Sequence, residues 1–174
     1  RLLNRTVWAL TEQLARGDFE PSAYELSFGS GKIDRIDVCE TRDEVYVKVI
    51  DYKTGQKGFD VSALYYGLQL QLMVYMNAAT DRMKKRYPGK QVIPSGVFYY
   101  RMKDPLLEKN GKADLEKRLL KELRPDGVVN LEQNSLEHLE RDRTGDSLAV
   151  PVKFNNNGSL SKVSRAVSQE EFHT

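Results

Sequence analysis

The chain contains a single cysteine, Cys39. That excludes an internal disulfide framework and a cysteine-based zinc cluster, and it predicts a reducing, cytoplasmic setting. Histidine is almost as scarce. His138 and His173 sit in polar surroundings without a companion at metal-ligand spacing. No apolar run is long enough to span a bilayer, so no membrane partner is expected. A phosphate-binding Gly-x-x-x-x-Gly-Lys-Ser/Thr loop is missing, which excludes ATP hydrolysis by this segment itself. Neither a Gly-x-Ser-x-Gly elbow nor a Cys/His pairing points to acyl transfer. Charge imbalance is absent as well: 27 basic and 25 acidic side chains give a net charge of +2, too little for a global field that gathers nucleic acid. The chain starts at Arg1 and shows no signal-peptide pattern, which predicts a segment of a larger protein.

What is present suits one globular α/β domain covering residues 1–174, with 40% hydrophobic and 30% charged residues. Leu2, Leu3, Val7, Leu10 and Leu14 fall at helical spacing and end on Gly17. Residues 23–28 read as a strand. Residues 33–39 and 45–52 read as two further strands of a hairpin, the second rich in β-branched side chains. Gly55 and Gly58 break the pattern, and Asp60 or Ser62 can cap a long helix reaching about Tyr87. Its stretch 64–76 is so apolar that burial on most sides is expected; Pro88-Gly89 stops it. A strand over 92–100, internal on one face, a short helix over 113–123 and a strand over 127–131 follow. Residues 102–146 are charged and read as a decoration of the fold. Asn157-Gly158 predicts a hairpin between 147–154 and 159–163. Ser168-Gln169-Glu170-Glu171 has the form of a capping box opening a helix.

The chemistry concentrates in Gly31-Lys32-Ile33-Asp34 and Val49-Ile50-Asp51-Tyr52-Lys53. Asp51 and Lys53 are two apart on a strand and share a face. Asp34 lies on the partner strand, so the hairpin can bring two carboxylates and an ammonium together. Phosphodiester hydrolysis suits such a set. Carboxylates hold a hard divalent cation, the cation activates water, and a fixed ammonium stabilises charge developing on phosphate. Asp-x-Lys or Gly-x-x-Asp alone is common and is most often surface charge; their joint placement on a hairpin is more specific. Tyr52 faces the other way, toward core. Asp37 is three residues past Asp34 and faces the opposite side, which marks it as structural.

Three further groups have two readings each. Glu25, between apolar neighbours on the first strand, is either a third ligand or a structural carboxylate. Gln71 and Tyr75 are four apart on one helix face with Gly67 a turn earlier, as is also expected of a hydrogen-bonded core pair. Gln69 is a further polar interruption of the same segment. The run from Arg82 to Lys90, with Lys84, Lys85 and Arg86 at its centre, is either a solvated helix end or a contact to DNA backbone phosphate.

Gly-Lys-Ile-Asp-Arg-Ile-Asp at 31–37, Val-Ile-Asp-Tyr-Lys-Thr-Gly at 49–55 and Tyr-Gly-Leu-Gln-Leu-Gln-Leu-Met-Val-Tyr at 66–75 together resemble the RecB-like nucleases of the PD-(D/E)XK superfamily. Within it the resemblance is strongest to the nuclease domain at the C-terminus of the AddB component of AddAB-type helicase–nucleases. The likeness covers residues 25–75 well; the tail 147–172 is similar but less specific, and 102–146 carries none. It implies a restriction-endonuclease-like mixed β-sheet flanked by helices, acting as a Mg²⁺-dependent deoxyribonuclease in which Mn²⁺ substitutes. Asp34 and Asp51, with Glu25, would be metal ligands, Lys53 the catalytic lysine, and Gln71 and Tyr75 a motif supporting the site and contacting DNA. It further implies processing of double-strand ends for recombinational repair, a single-stranded DNA substrate and a helicase–nuclease A subunit as partner. Two family features are missing. No histidine-bearing helix motif is visible in residues 1–17, and the cysteines of the full subunit's iron–sulfur cluster are absent from this segment. A DNA- or partner-binding module with a nuclease fold, or a free-standing RecB-like exonuclease, are the alternatives.

Overall fold

The computed structural model describes residues 1–53, 61–106, 111–162, 164, 166–168 and 170–173; the side chains of 61–66, 68, 69, 112, 113, 167 and 173 fall outside this description, as do the expected breakers Gly55 and Gly58 and the caps Asp60 and Ser62. In chain order the elements are α1 (Leu2–Leu14), β1 (Glu20–Phe28), β2 (Gly31–Glu40), β3 (Glu44–Lys53), α2 (Val61–Arg86), β4 (Gln91–Arg101), α3 (Lys112–Glu122), β5 (Asp126–Asn130), α4 (Gln133–Leu139), β6 (Gly145–Asp146), β7 (Lys153–Phe154), β8 (Ala166–Val167) and a 3₁₀ turn at Glu170–His173.

Strand β3 sets the architecture. Val45, Tyr46, Val47, Val49 and Ile50 are all buried, the composition of a strand covered on both faces. Each such aliphatic side chain contributes roughly 1.5–3 kcal/mol by leaving water. The main sheet runs β1-β2-β3-β4-β5-β8. β1–β2, β2–β3 and β4–β5 are antiparallel, whereas β3–β4 and β5–β8 are parallel. Parallel neighbours need a crossover, and α2 supplies it between β3 and β4. On the α2 side, Leu72, Met76, Ala79 and Met83 pack with Ile36, Val38, Val45, Val47, Val49 and Val97, joined by Phe172. On the other side, Tyr46, Ile50, Phe98 and Tyr100 meet Leu136 and Leu139 of α4, the 149–152 stretch, and Leu10 and Leu14 of α1. β4 and β5 approach so closely at Gly127 that an added Cβ would lie 2.1 Å from the Val97 carbonyl oxygen.

Four expectations are corrected. β4 is buried from Val92 through Tyr100, on both faces, because it lies centrally between β3 and β5. α2 is not buried on most sides over its described part: Leu70 is 69% and Val74 48% exposed, since its sheet-facing stripe continues through Leu72, Met76 and Ala79. Residues 147–163 do not form an extended hairpin. The Asn155–Gly158 turn closes through Asn155 N–H to the Ser159 carbonyl at 2.8 Å, but its pairing is a single Phe154–Leu160 bridge, and residues 149, 150 and 152 are drawn into the second core. The capping box forms, with Ser168 N–H donating to Glu171 at 2.7 Å and the hydroxyl at 3.0 Å, and it opens a 3₁₀ turn in place of an α-helix. The helix α4 has no strong periodic signal in its seven residues and is not among the elements that residue patterning predicts.

Candidate active site

The β2–β3 register pairs Ile36 with Val49 and Arg35 with Ile50. One step further brings Asp34 level with Asp51, where regular pairing ends and a side chain takes over: Asp34 Oδ2 accepts the Tyr52 backbone N–H at 2.8 Å. Anchoring one oxygen restricts the rotation of the carboxylate beside Asp51. On β3, Lys53 Nζ lies 2.5 Å from Asp51 Oδ2. The ammonium approaches off the hydrogen-bonding direction, so that buried oxygen has no well-directed donor. Asp34, Asp51 and Lys53 are thus brought together as the hairpin predicts.

Asp51 does not stand at the surface, as a strand-ending aspartate is expected to; it is 6% exposed. Burial pushes its carboxyl above the ordinary carboxylate range, the neighbouring Asp34 adds to the effect, and Lys53 opposes it. Two close carboxylates, one with a buried and undirected oxygen, lack positive charge that one ammonium does not fully supply. A hard divalent cation fits this donor set.

The other predicted residues divide. Glu25 holds Lys32 at 2.8 Å with 74% of its side chain exposed, at a left-handed φ of 51°, and is not drawn to the carboxylate pair. Among the described residues no group of three His, Cys, Asp or Glu side chains is arranged to hold a metal ion. Gln71 Nε2 donates to the Tyr75 hydroxyl at 3.0 Å, and Tyr75 stacks edge-on against Phe28 with centroids 5.5 Å apart. Among the described residues no hydrogen bond or ion pair joins this pair to the carboxylates. Gln69 lies outside the described side chains. Lys84, Lys85 and Arg86 form the last turn of α2, at the far end from β3 of a helix about 39 Å long. Lys84 lies 3.9 Å from Asp81, and Arg86 donates to Ser22 at 3.0 Å. Lys85 and Arg86 border a surface depression with Arg82, Ser22, Ala23 and Leu26.

Asp37 is structural, as the strand period predicts. It is fully buried on the opposite face, gripped by Arg35 through Nε at 2.6 Å and Nη2 at 2.8 Å, with Lys48 at 3.4 Å. Arg35 also donates to the Tyr52 hydroxyl at 3.1 Å. Burial would lower the guanidinium's affinity for its proton, but the Asp37 contacts outweigh it and the pKa is raised. His138 pairs with Asp18 at 3.0 Å. Sequence reasoning missed Tyr99, Arg101 and Asp126 beside the site. Tyr99 pairs with Asp51 and Arg101 with Lys53 across β3–β4, and the Tyr99 hydroxyl donates to Asp126 at 2.8 Å. The signal that could have found them is the parallel pairing implied by a long helix between two apolar strands.

No described helix is long and apolar enough to cross a membrane. The sequence family described as the PD-(D/E)XK nuclease superfamily matches residues 1–154. The chain is 40% identical over 191 residues to the second subunit of the ATP-dependent helicase/deoxyribonuclease (AddB type) of Lachnoclostridium phytofermentans, covering 100% of this chain and 16% of that protein. The corresponding subunits from Acetivibrio thermocellus and Alkaliphilus oremlandii are 33% and 34% identical over 195 and 194 residues, each covering 99% of this chain and 17% of the relative. The chain therefore spans about a sixth of the length of the curated relatives it matches. With the mixed sheet and the Asp34–Asp51–Lys53 cluster in place, this match means that the chain belongs to the PD-(D/E)XK nuclease superfamily.

Proposed function

We propose that residues 1–174 act as one nuclease domain that hydrolyses DNA phosphodiester bonds, with Asp34 and Asp51 holding a divalent cation and Lys53 as the catalytic lysine. The observation that carries this reading is the convergence of the three side chains around an Asp51 oxygen that is buried and lacks a well-directed donor. Mg²⁺, with Mn²⁺ as substitute, would supply an activated water and neutralise phosphate charge when bound. Asp34 keeps its orientation through the Tyr52 N–H. Lys53 holds a phosphate oxygen or the attacking water, a fixed positive charge where negative charge develops. Gln71 and Tyr75 support the site and meet the DNA, while Lys84, Lys85 and Arg86 hold backbone phosphate. Glu25, paired with Lys32, is left out of the ligand set.

The names of the relatives support a place within a helicase–deoxyribonuclease. In that setting the substrate is single-stranded DNA delivered by a motor, the partner is a helicase–nuclease A subunit, and the task is processing of double-strand ends for recombinational repair in the cytoplasm. Single-turnover cleavage of a labelled single strand in Mg²⁺ and in Mn²⁺, for the chain and its Asp51→Ala variant, tests the chemistry. Metal-dependent cleavage abolished by Asp51→Ala is expected. DNA binding without cleavage in either metal would overturn the reading in favour of a binding module.

A further inference from the structure

The sheet carries the site one strand beyond the motifs. β3 and β4 are parallel neighbours in register, with Asp51 beside Tyr99 and Lys53 beside Arg101. Neighbours in register share a face, so Tyr99 and Arg101 stand on the face of Asp51 and Lys53. The ladder continues past them, since Met102 N–H donates to the Lys53 carbonyl at 3.3 Å. The position of Arg101 is thus fixed by backbone on the Lys53 side.

Its side chain is also directed. The Arg101 guanidinium lies 5.8 Å from the centroid of the Tyr99 ring. That ring is pinned in turn, because Tyr99 is 8% exposed and its hydroxyl donates to Asp126 on β5 at 2.8 Å. Tyr99 is a platform, and Arg101 is an exposed cation resting on it. Adjacent strands are about 4.8 Å apart, whereas a nucleic-acid strand carries one charge per roughly 3.4 Å of rise. A strand whose scissile phosphate meets Lys53 therefore offers a neighbouring phosphate within reach of Arg101. The planar guanidinium suits it, because its paired N–H groups match two phosphate oxygens.

We infer that Arg101 is a DNA-contacting residue of this site, holding the backbone phosphate next to the one that is cut; this rests on the nuclease reading above. The competing role is purely structural, a cation packed on Tyr99. Salt dependence separates the two, because a lost phosphate contact changes the number of released counterions and lost packing does not.

The test measures binding of the chain to a labelled oligodeoxythymidine with Ca²⁺ in place of Mg²⁺, across a salt series, for the wild type, Arg101→Ala and Arg101→Lys. Arg101→Ala is expected to weaken binding about tenfold or more, as for one charge-assisted contact. Its log–log salt slope should flatten by about 0.7, with an unchanged melting midpoint. Arg101→Lys should restore the slope without the full affinity, since an ammonium keeps the charge and loses the fork. An unchanged slope in Arg101→Ala overturns the inference, whatever the midpoint does. Cleavage in Mg²⁺ is read alongside. A wild type that binds but does not cut overturns the nuclease reading, and the slope still decides Arg101. A wild type that cuts as Arg101→Ala does, with equal slopes, overturns the Arg101 contact alone. A wild type that binds no DNA overturns both.

Discussion

The backbone N–H of Tyr52 donates to Asp34 Oδ2 at 2.8 Å, while the Tyr52 side chain turns to the other face and accepts from Arg35 at 3.1 Å. One residue thus touches both halves of the hairpin's charge: the strand-end cluster of Asp34, Asp51 and Lys53, and the buried cluster of Arg35, Asp37 and Lys48.

Lys53→Ala is expected to lower single-turnover cleavage by about a hundredfold or more, the loss of one preorganised charge at the reacting phosphate. Affinity for Mn²⁺, measured by calorimetry, should stay equal or rise, because Lys53 lies 2.5 Å from Asp51 and competes with a cation for it. A large loss of ion affinity would move Lys53 into the scaffold.

Asp51 and Asp37 should behave in opposite ways. Without divalent ion, Asp51→Asn is expected to melt at or above the wild type, since burial and Asp34 both disfavour the Asp51 carboxylate. Asp37→Ala leaves Arg35 and Lys48 without their carboxylate, a loss expected to cost about 3–5 kcal/mol. Denaturant unfolding of both variants checks the pair, and equal destabilisation would contradict the division into site and scaffold.

Replacing Lys84 and Lys85 together is expected to weaken DNA binding about equally for unrelated sequences, because an ammonium contacts backbone and reads no base. The salt slope should flatten by about 0.7 for each lost contact. A slope identical to that of the wild type would leave this turn as solvated surface.

Glu140 is 1% exposed, and burial raises its carboxyl above the ordinary value of 4.5 despite hydrogen bonds from Ser147 and from the Asp142 N–H. A raised folded pKa means that the folded state binds the proton more tightly than the unfolded state. The associated stability is therefore present below the unfolded value and is lost as pH rises through the folded one. Glu140→Gln is expected to be at least as stable as the wild type at neutral pH, with that advantage vanishing in mild acid. Melting midpoints across this range test it, and a constant difference between the two proteins would refute the assignment.

Much of the scaffold was legible in residue order because its signals are local. The β-branched run of β3, the apolar spacing of α1 and the Pro88-Gly89 stop after α2 each act within a few residues. The alternation of a strand also placed Asp37 opposite Asp34, and helical spacing placed Gln71 against Tyr75. The exposure of Leu70 and Val74 was not legible, because an apolar segment does not say which elements will cover it.

By itself, the sequence determined that two aspartates and a lysine share one hairpin, since spacing along neighbouring strands decides which side chains can meet. Only the tertiary structure decided that Asp51 is buried, because desolvation depends on how the neighbouring elements close around it. The same holds for the neighbours of Lys53. Counting alternately from Val92, which faces α2, would put Tyr100 beside the site. The register shift between Pro94 and Gly96 leaves Ser95 as an extra residue and delivers Tyr99 and Arg101 instead. Such a bulge reverses every later side chain of its strand, and Asn130 of β5, which donates to the Pro94 carbonyl at 2.7 Å, meets β4 beside it only once the sheet has formed.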